Sequence, residues 1–143
     1  MENKNEHYVR EIETLFDYDD LLNDSFKNLV VIKFTAKWCG PCRHLINPIR
    51  QLSVEYRDII FAEADIDNTN INVLKIFQEV TRVPTLVFIK DYNIIYQFSG
   101  ASVDKLKSTI KEYLAGNLTK KDEIKQVEQQ KDEQKDDCCK KNE

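Results

Sequence analysis

The chain has 143 residues, 41% hydrophobic and 32% charged, with four cysteines and a net charge of −4. That length accommodates one domain with a real core and is short for two. The charge is mild and mixed in sign, no Lys/Arg cluster is interleaved with aromatics, and no apolar run is long enough for a secretory leader or a membrane span, so a nucleic-acid surface and a membrane anchor are not expected.

In chain order, Glu6 to Leu15 reads as a short strand anchored by Val9, Ile12 and Leu15, and Asp17 to Ser25 as a helix with early acidic residues and a Leu21-Leu22 patch. Leu29 to Phe34 is a β-branched apolar run interrupted only at Lys33, the pattern of a central strand covered on both faces. A helical pattern follows through Ile46, Ile49, Leu52 and Tyr56, with a kink expected at Pro48. Ile59 to Ile66 is a second buried strand. The polar turn Asp67-Asn68-Thr69-Asn70 leads into a helix over Val73 to Val80. Thr85 to Ile89 and Ile94 to Phe98 form a hairpin across Lys90-Asp91-Tyr92-Asn93. After Gly100, Ser102 caps an amphipathic helix to Leu114 bearing Val103, Leu106, Ile110 and Leu114.

This order, βαβαβαββα, predicts an α/β fold: a central mixed sheet flanked by helices and closed by an antiparallel hairpin. Residues 1–116 form the domain. Residues 117–143 are almost entirely charged or amidic, with Leu118, Ile124 and Val127 as the aliphatics, and are expected to be disordered.

Between the first buried strand and its helix stands Trp38-Cys39-Gly40-Pro41-Cys42. A Cys-x-x-Cys in a strand-to-helix turn is a redox signal. Unpaired backbone N–H groups and the helix dipole at that terminus favour a thiolate on Cys39, the nucleophilic form. Cys42 lies one turn on, close enough to resolve a mixed disulfide, and Pro41 suits the first turn of a helix. A zinc site would need two further ligands, yet there is no second Cys-x-x-Cys and only His7 and His44. A purely structural disulfide is the other alternative.

Phe34 to Cys42 resembles the active-site signature of thioredoxins, Val83-Pro84-Thr85 their cis-proline loop, and Phe98-Ser99-Gly100-Ala101 the glycine turn that completes their substrate groove. The likeness spans roughly residues 8–115. It implies a thioredoxin fold and thiol–disulfide exchange with no bound cofactor. Electrons would come from NADPH through a thioredoxin reductase, and the clients would be disulfide-containing proteins. Trp38, Gly40, Pro41, Val83 and Pro84 would form the docking surface. A monomer in a reducing, cytoplasmic compartment is expected.

Two positions depart from the family. Where thioredoxins carry a buried Asp six residues before the first active-site cysteine, this chain has Lys33. Burying it is costly without a partner, and Glu63 on the neighbouring strand is the candidate. A charged Lys33 would favour thiolates and make the couple a better oxidant, toward an exchanger or isomerase. A neutral Lys33 would offer a base, and a lysine snorkelling to solvent would do neither. Pro48 lies six residues after Cys42, where the family's proline comes five after. Cys138 and Cys139 are adjacent in the tail and are poor partners for each other; a regulatory redox role is one reading and an incidental exposed pair the other. The alternative from another class is a thioredoxin-like binding module that docks a partner without turnover.

Overall fold

The computed structural model describes residues 7–118 and the backbone of Cys139–Lys140. Its elements run β1 (Arg10–Ile12), α1 (Leu15–Asp24), β2 (Val30–Thr35), a 3-10 turn (Pro41–Leu45), α2 (Ile46–Glu55) and β3 (Ile60–Asp65). Then come α3 (Lys75–Gln78), β4 (Arg82–Val83), β5 (Thr85–Lys90), β6 (Asn93–Ser99), α4 (Val103–Leu114) and β7 (Cys139–Lys140).

Five strands form one sheet in the order β1-β3-β2-β5-β6. β2 runs parallel to β3 and antiparallel to β5, so the expected mixed sheet is present with β2 at its centre. Strand periodicity sends alternate residues to opposite faces. On one face Val30, Ile32 and Phe34 pack with Leu21 of α1 and Phe77 of α3, the Phe34 and Phe77 rings meeting edge to face at 4.9 Å. On the other, Val31, Phe61, Leu86 and Phe88 pack with Ile49 and Leu52 of α2 and Leu106 and Ile110 of α4. Both faces are thereby dry, which explains the near-continuous apolar run of β2.

The first strand is shorter than expected. Leu15 is not an anchor but the exposed first residue of α1. Thr14 caps that helix: its Oγ1 accepts from the Asp17 N–H, and Asp17 Oδ2 accepts in return from the Thr14 N–H. This reciprocal box satisfies two amide groups that an extended Thr14-Leu15 would leave to water.

The kink expected at Pro48 is also displaced. The helical pattern divides into the 3-10 turn and α2, and Pro48 is the third residue of α2. An N–H in the first turn has no intrahelical partner, so the proline costs nothing there. α3 is cut to four residues because the Asn-rich approach folds on itself, Asn68 Oδ1 accepting from the Asn70 N–H. The hairpin turns through Asp91 and Tyr92, both at positive φ (54° and 71°). Buried Ser25 holds them: its carbonyl accepts from the Asp91 N–H and its Oγ from the Tyr92 N–H.

No helix among the described residues is long and apolar enough to cross a membrane. Of the tail expected to be disordered, Asn117, Leu118 and the backbone of Cys139–Lys140 are described, and the remainder lies outside the described residues. The Cys139–Lys140 backbone pairs antiparallel with β4.

Candidate active site

Parallel β2 and β3 end side by side, Thr35 in register with Asp65. The loops after them therefore meet at one end of the sheet, where β-strand carboxyl ends of α/β proteins build their sites. The loop after β2 carries Trp38 and Cys39, and the 3-10 turn carries Cys42. Cys39 and Cys42 are disulfide-bonded, with Cα atoms 5.5 Å apart.

Cys39 and Cys42 are 1% and 3% exposed, whereas Trp38 is 44% exposed. The Cys42 N–H donates to Cys39 Sγ at 3.2 Å. When the disulfide opens, that donor faces the developing charge on Cys39, which is how a helix start stabilises a thiolate. The indole N–H of Trp38 donates to Asp67 Oδ2 at 2.8 Å and so fixes the ring beside the cysteines. Sequence reading placed Asp67 only in a polar turn; its position directly after the strand next to β2 is the signal that would have found it.

Val83 and Pro84 close the opposite side. The Val83–Pro84 bond is cis, and the Val83 carbonyl oxygen lies 3.6 Å from Cys39 Sγ. Three hydrogen bonds hold this loop. The Gly100 N–H donates to the Pro84 carbonyl at 2.9 Å, Thr85 Oγ1 donates to the Arg82 carbonyl at 2.7 Å, and the Thr85 and Ser99 hydroxyls meet at 2.8 Å. Gly100 adopts φ 111°, a conformation that side-chain-bearing residues rarely reach. Gly40, by contrast, is right-handed (φ −64°), and a Cβ there would meet nothing within 4 Å.

Beside the disulfide lies an open pocket of about 720 Å³ lined by Lys33, Glu63, Cys39, Cys42, Arg43 and Asp67 among others. Lys33 is 3% exposed, which overturns the snorkelling alternative. Its ammonium sits 3.6 Å from Glu63 Oε1, and the two residues are register partners on β2 and β3. Burial pulls the Lys33 pKa below the ordinary lysine value, the Glu63 carboxylate opposes that shift, and the Arg50 charge adds to it. The position before the cysteines is thus polar and buried, with a lysine in place of an acid.

A disulfide at a helix start, facing a cis-proline loop across one sheet end, defines a thiol–disulfide oxidoreductase. The comparisons agree. The Thioredoxin family model matches residues 10–112. The thioredoxin of Ovis aries is 35% identical over 106 residues, 74% of this chain and 99% of its own length; that of Homo sapiens is 36% identical over 104 residues, 73% and 97%. The X-ray structure of Fasciola hepatica thioredoxin superposes with a TM-score of 0.65 at 36% identity, covering 73% of this chain and 98% of its own. A poplar thioredoxin h superposes with a TM-score of 0.69 at 27% identity, covering 75% and 96%. The chain belongs to the thioredoxin family.

Proposed function

We propose that the protein works as a disulfide reductase of other proteins, recycled by an NADPH-dependent thioredoxin reductase, as a monomer in a reducing, cytoplasmic compartment. The observation that carries the reading is the arrangement around Cys39: a backbone donor on one side of its sulfur and the Val83 carbonyl on the other. The Cys39 thiolate attacks one sulfur of a client disulfide, forming a mixed disulfide and releasing the other client sulfur as a thiolate. Cys42 then attacks Cys39, regenerating the Cys39–Cys42 disulfide and releasing the client as a dithiol, two electrons having passed to it. Trp38, Gly40, Pro41, Val83 and Pro84 form the surface against which the client lies. Its backbone pairs with the polar groups of the Val83 edge, a mode that tolerates many side chains.

Lys33 tunes the couple. A buried cation beside the dithiol favours thiolates and hence the reduced form, so the protein is a stronger oxidant than it would be without that charge. Lys33→Met should make the Cys39–Cys42 potential more negative by about 30 mV, equivalent to about 1.4 kcal/mol. Equilibration against glutathione measures it, and an unchanged potential would remove Lys33 from the mechanism. The reductase assignment is tested by NADPH consumption with a thioredoxin reductase and a disulfide-bonded protein client. Wild type should turn over and Cys39→Ser should not. Cys42→Ser should accumulate client mixed disulfides on Cys39, and their absence would favour a binding module instead.

A further inference from the structure

The β4 edge is already occupied. β7 pairs with it antiparallel, the Cα of Cys139 opposite that of Val83 and the Cα of Lys140 opposite that of Arg82. Val83 is the residue whose carbonyl oxygen lies 3.6 Å from Cys39 Sγ, and Cys39 itself is 1% exposed. We infer that the carboxy-terminal segment of this chain is an internal ligand of its own client-docking edge, with Cys139 a disulfide-exchange partner for Cys39.

The occupant is chosen by covalent connection and by chemistry. Twenty residues separate Leu118 from Cys139; extended, they would reach about 70 Å, against a radius of gyration of about 13 Å for a domain of this size. A tethered segment meets its site at an effective concentration in the millimolar range for short linkers. Main-chain pairing asks little of side chains, so a charged tail can form it.

The exchange conserves electrons. The Cys139 thiolate attacks Cys39 Sγ, the Cys39–Cys42 bond breaks, a Cys39–Cys139 bond forms, and Cys42 leaves as a thiolate that takes up the proton Cys139 gave up. Attack of Cys42 on Cys39 reverses the step. No external oxidant is needed, because one disulfide is exchanged for another. While the tail is seated, a client strand cannot pair with Val83.

The test uses the full chain. Reduced Cys42→Ser protein, mixed from unlabelled and isotope-labelled pools, is oxidised with glutathione disulfide and its linked peptides are mapped by mass. The expected product is an intrachain Cys39–Cys139 disulfide, and adding Cys139→Ser should lower intrachain linkage about tenfold. Preferential linkage to Cys138, linkage only between chains, or no linkage would overturn the exchange partnership. In the otherwise wild-type chain, Cys139→Pro, which removes a backbone N–H, should lower the KM for a disulfide-containing peptide about threefold with kcat unchanged, as expected if the tail seats on two thirds of the molecules. Cys139→Ser should leave that KM as in wild type, and an unchanged KM in the proline variant would overturn occupancy of the edge. The inference rests on the Val83 edge being the docking edge. Client mixed disulfides formed by Cys42→Ser with both tail cysteines replaced by Ser report on that reading separately.

Discussion

At the scale of single residues, Lys33 carries two consequences that separate cleanly. Its pKa is lowered by burial in the folded state, so the folded protein holds that proton less tightly than the unfolded chain. Between the depressed value and the ordinary one of 10.5, the unfolded chain binds more protons, and stability contributed by this group rises with pH. Below that window the folded state bears the burial cost in full. Oxidised Lys33→Met, which removes the cation and leaves half-buried Glu63 to water, should therefore match or exceed wild type by up to about 1 kcal/mol at pH 7. The gap should close as pH climbs toward 10.5, in urea unfolding followed for both proteins in parallel. Gly40 supplies a contrasting case. Its right-handed φ and open surroundings mean that Gly40→Ala should fold normally and gain about 0.5 kcal/mol from a stiffer unfolded chain. Any loss in client reduction would then report the crowding of a docking surface. The Lys33–Glu63 pairing was legible because both residues lie mid-strand, on strands that the resemblance to the thioredoxin fold makes neighbours. For Asp67 the sequence offers only its place after the strand beside β2; that it bonds Trp38 depends on where the two loops meet.

Among the elements, caps decide the boundaries. Thr14 and Ser102 each accept a hydrogen bond from the amide three residues on, at the starts of α1 and α4. Replacing either with alanine should cost about 1 kcal/mol, measured by chemical denaturation. Ser102 was readable because an amphipathic run follows it at once. Thr14 was hidden because Val9, Ile12 and Leu15 looked like one strand, and only the Asp17 side chain folding back shows where the strand stops. The shortness of α3 behind the expected Asn68 turn, and the early place of Pro48 in α2, have a similar reason: side-chain-to-backbone bonds and the switch from 3-10 to α geometry leave little trace in hydrophobic spacing. β7 could not be foreseen, since a charged tail pairs through its backbone and carries no apolar signature.

Over the whole molecule, one sheet separates two dry layers. Phe77→Ala opens a hole under β2 on the face of α1 and α3, and Ile110→Ala one on the face of α2 and α4. Each should destabilise by about 3 kcal/mol. The sheet lies between them, so the double variant should lose their sum within about 0.5 kcal/mol, and a larger discrepancy in a denaturation cycle would mean that the layers communicate.

Lys33 and Glu63 face each other in register on parallel strands. Sliding β2 by one residue would turn every side chain over and drive the ammonium into the layer of Val30, Ile32 and Phe34, away from its carboxylate. The pair therefore acts as a key that admits a single alignment of the central strands, a service independent of redox chemistry. With Lys33 replaced by methionine both alignments become apolar, and the expected trace is a broader spread of slowly exchanging β2 amide signals in a protein that has lost no stability.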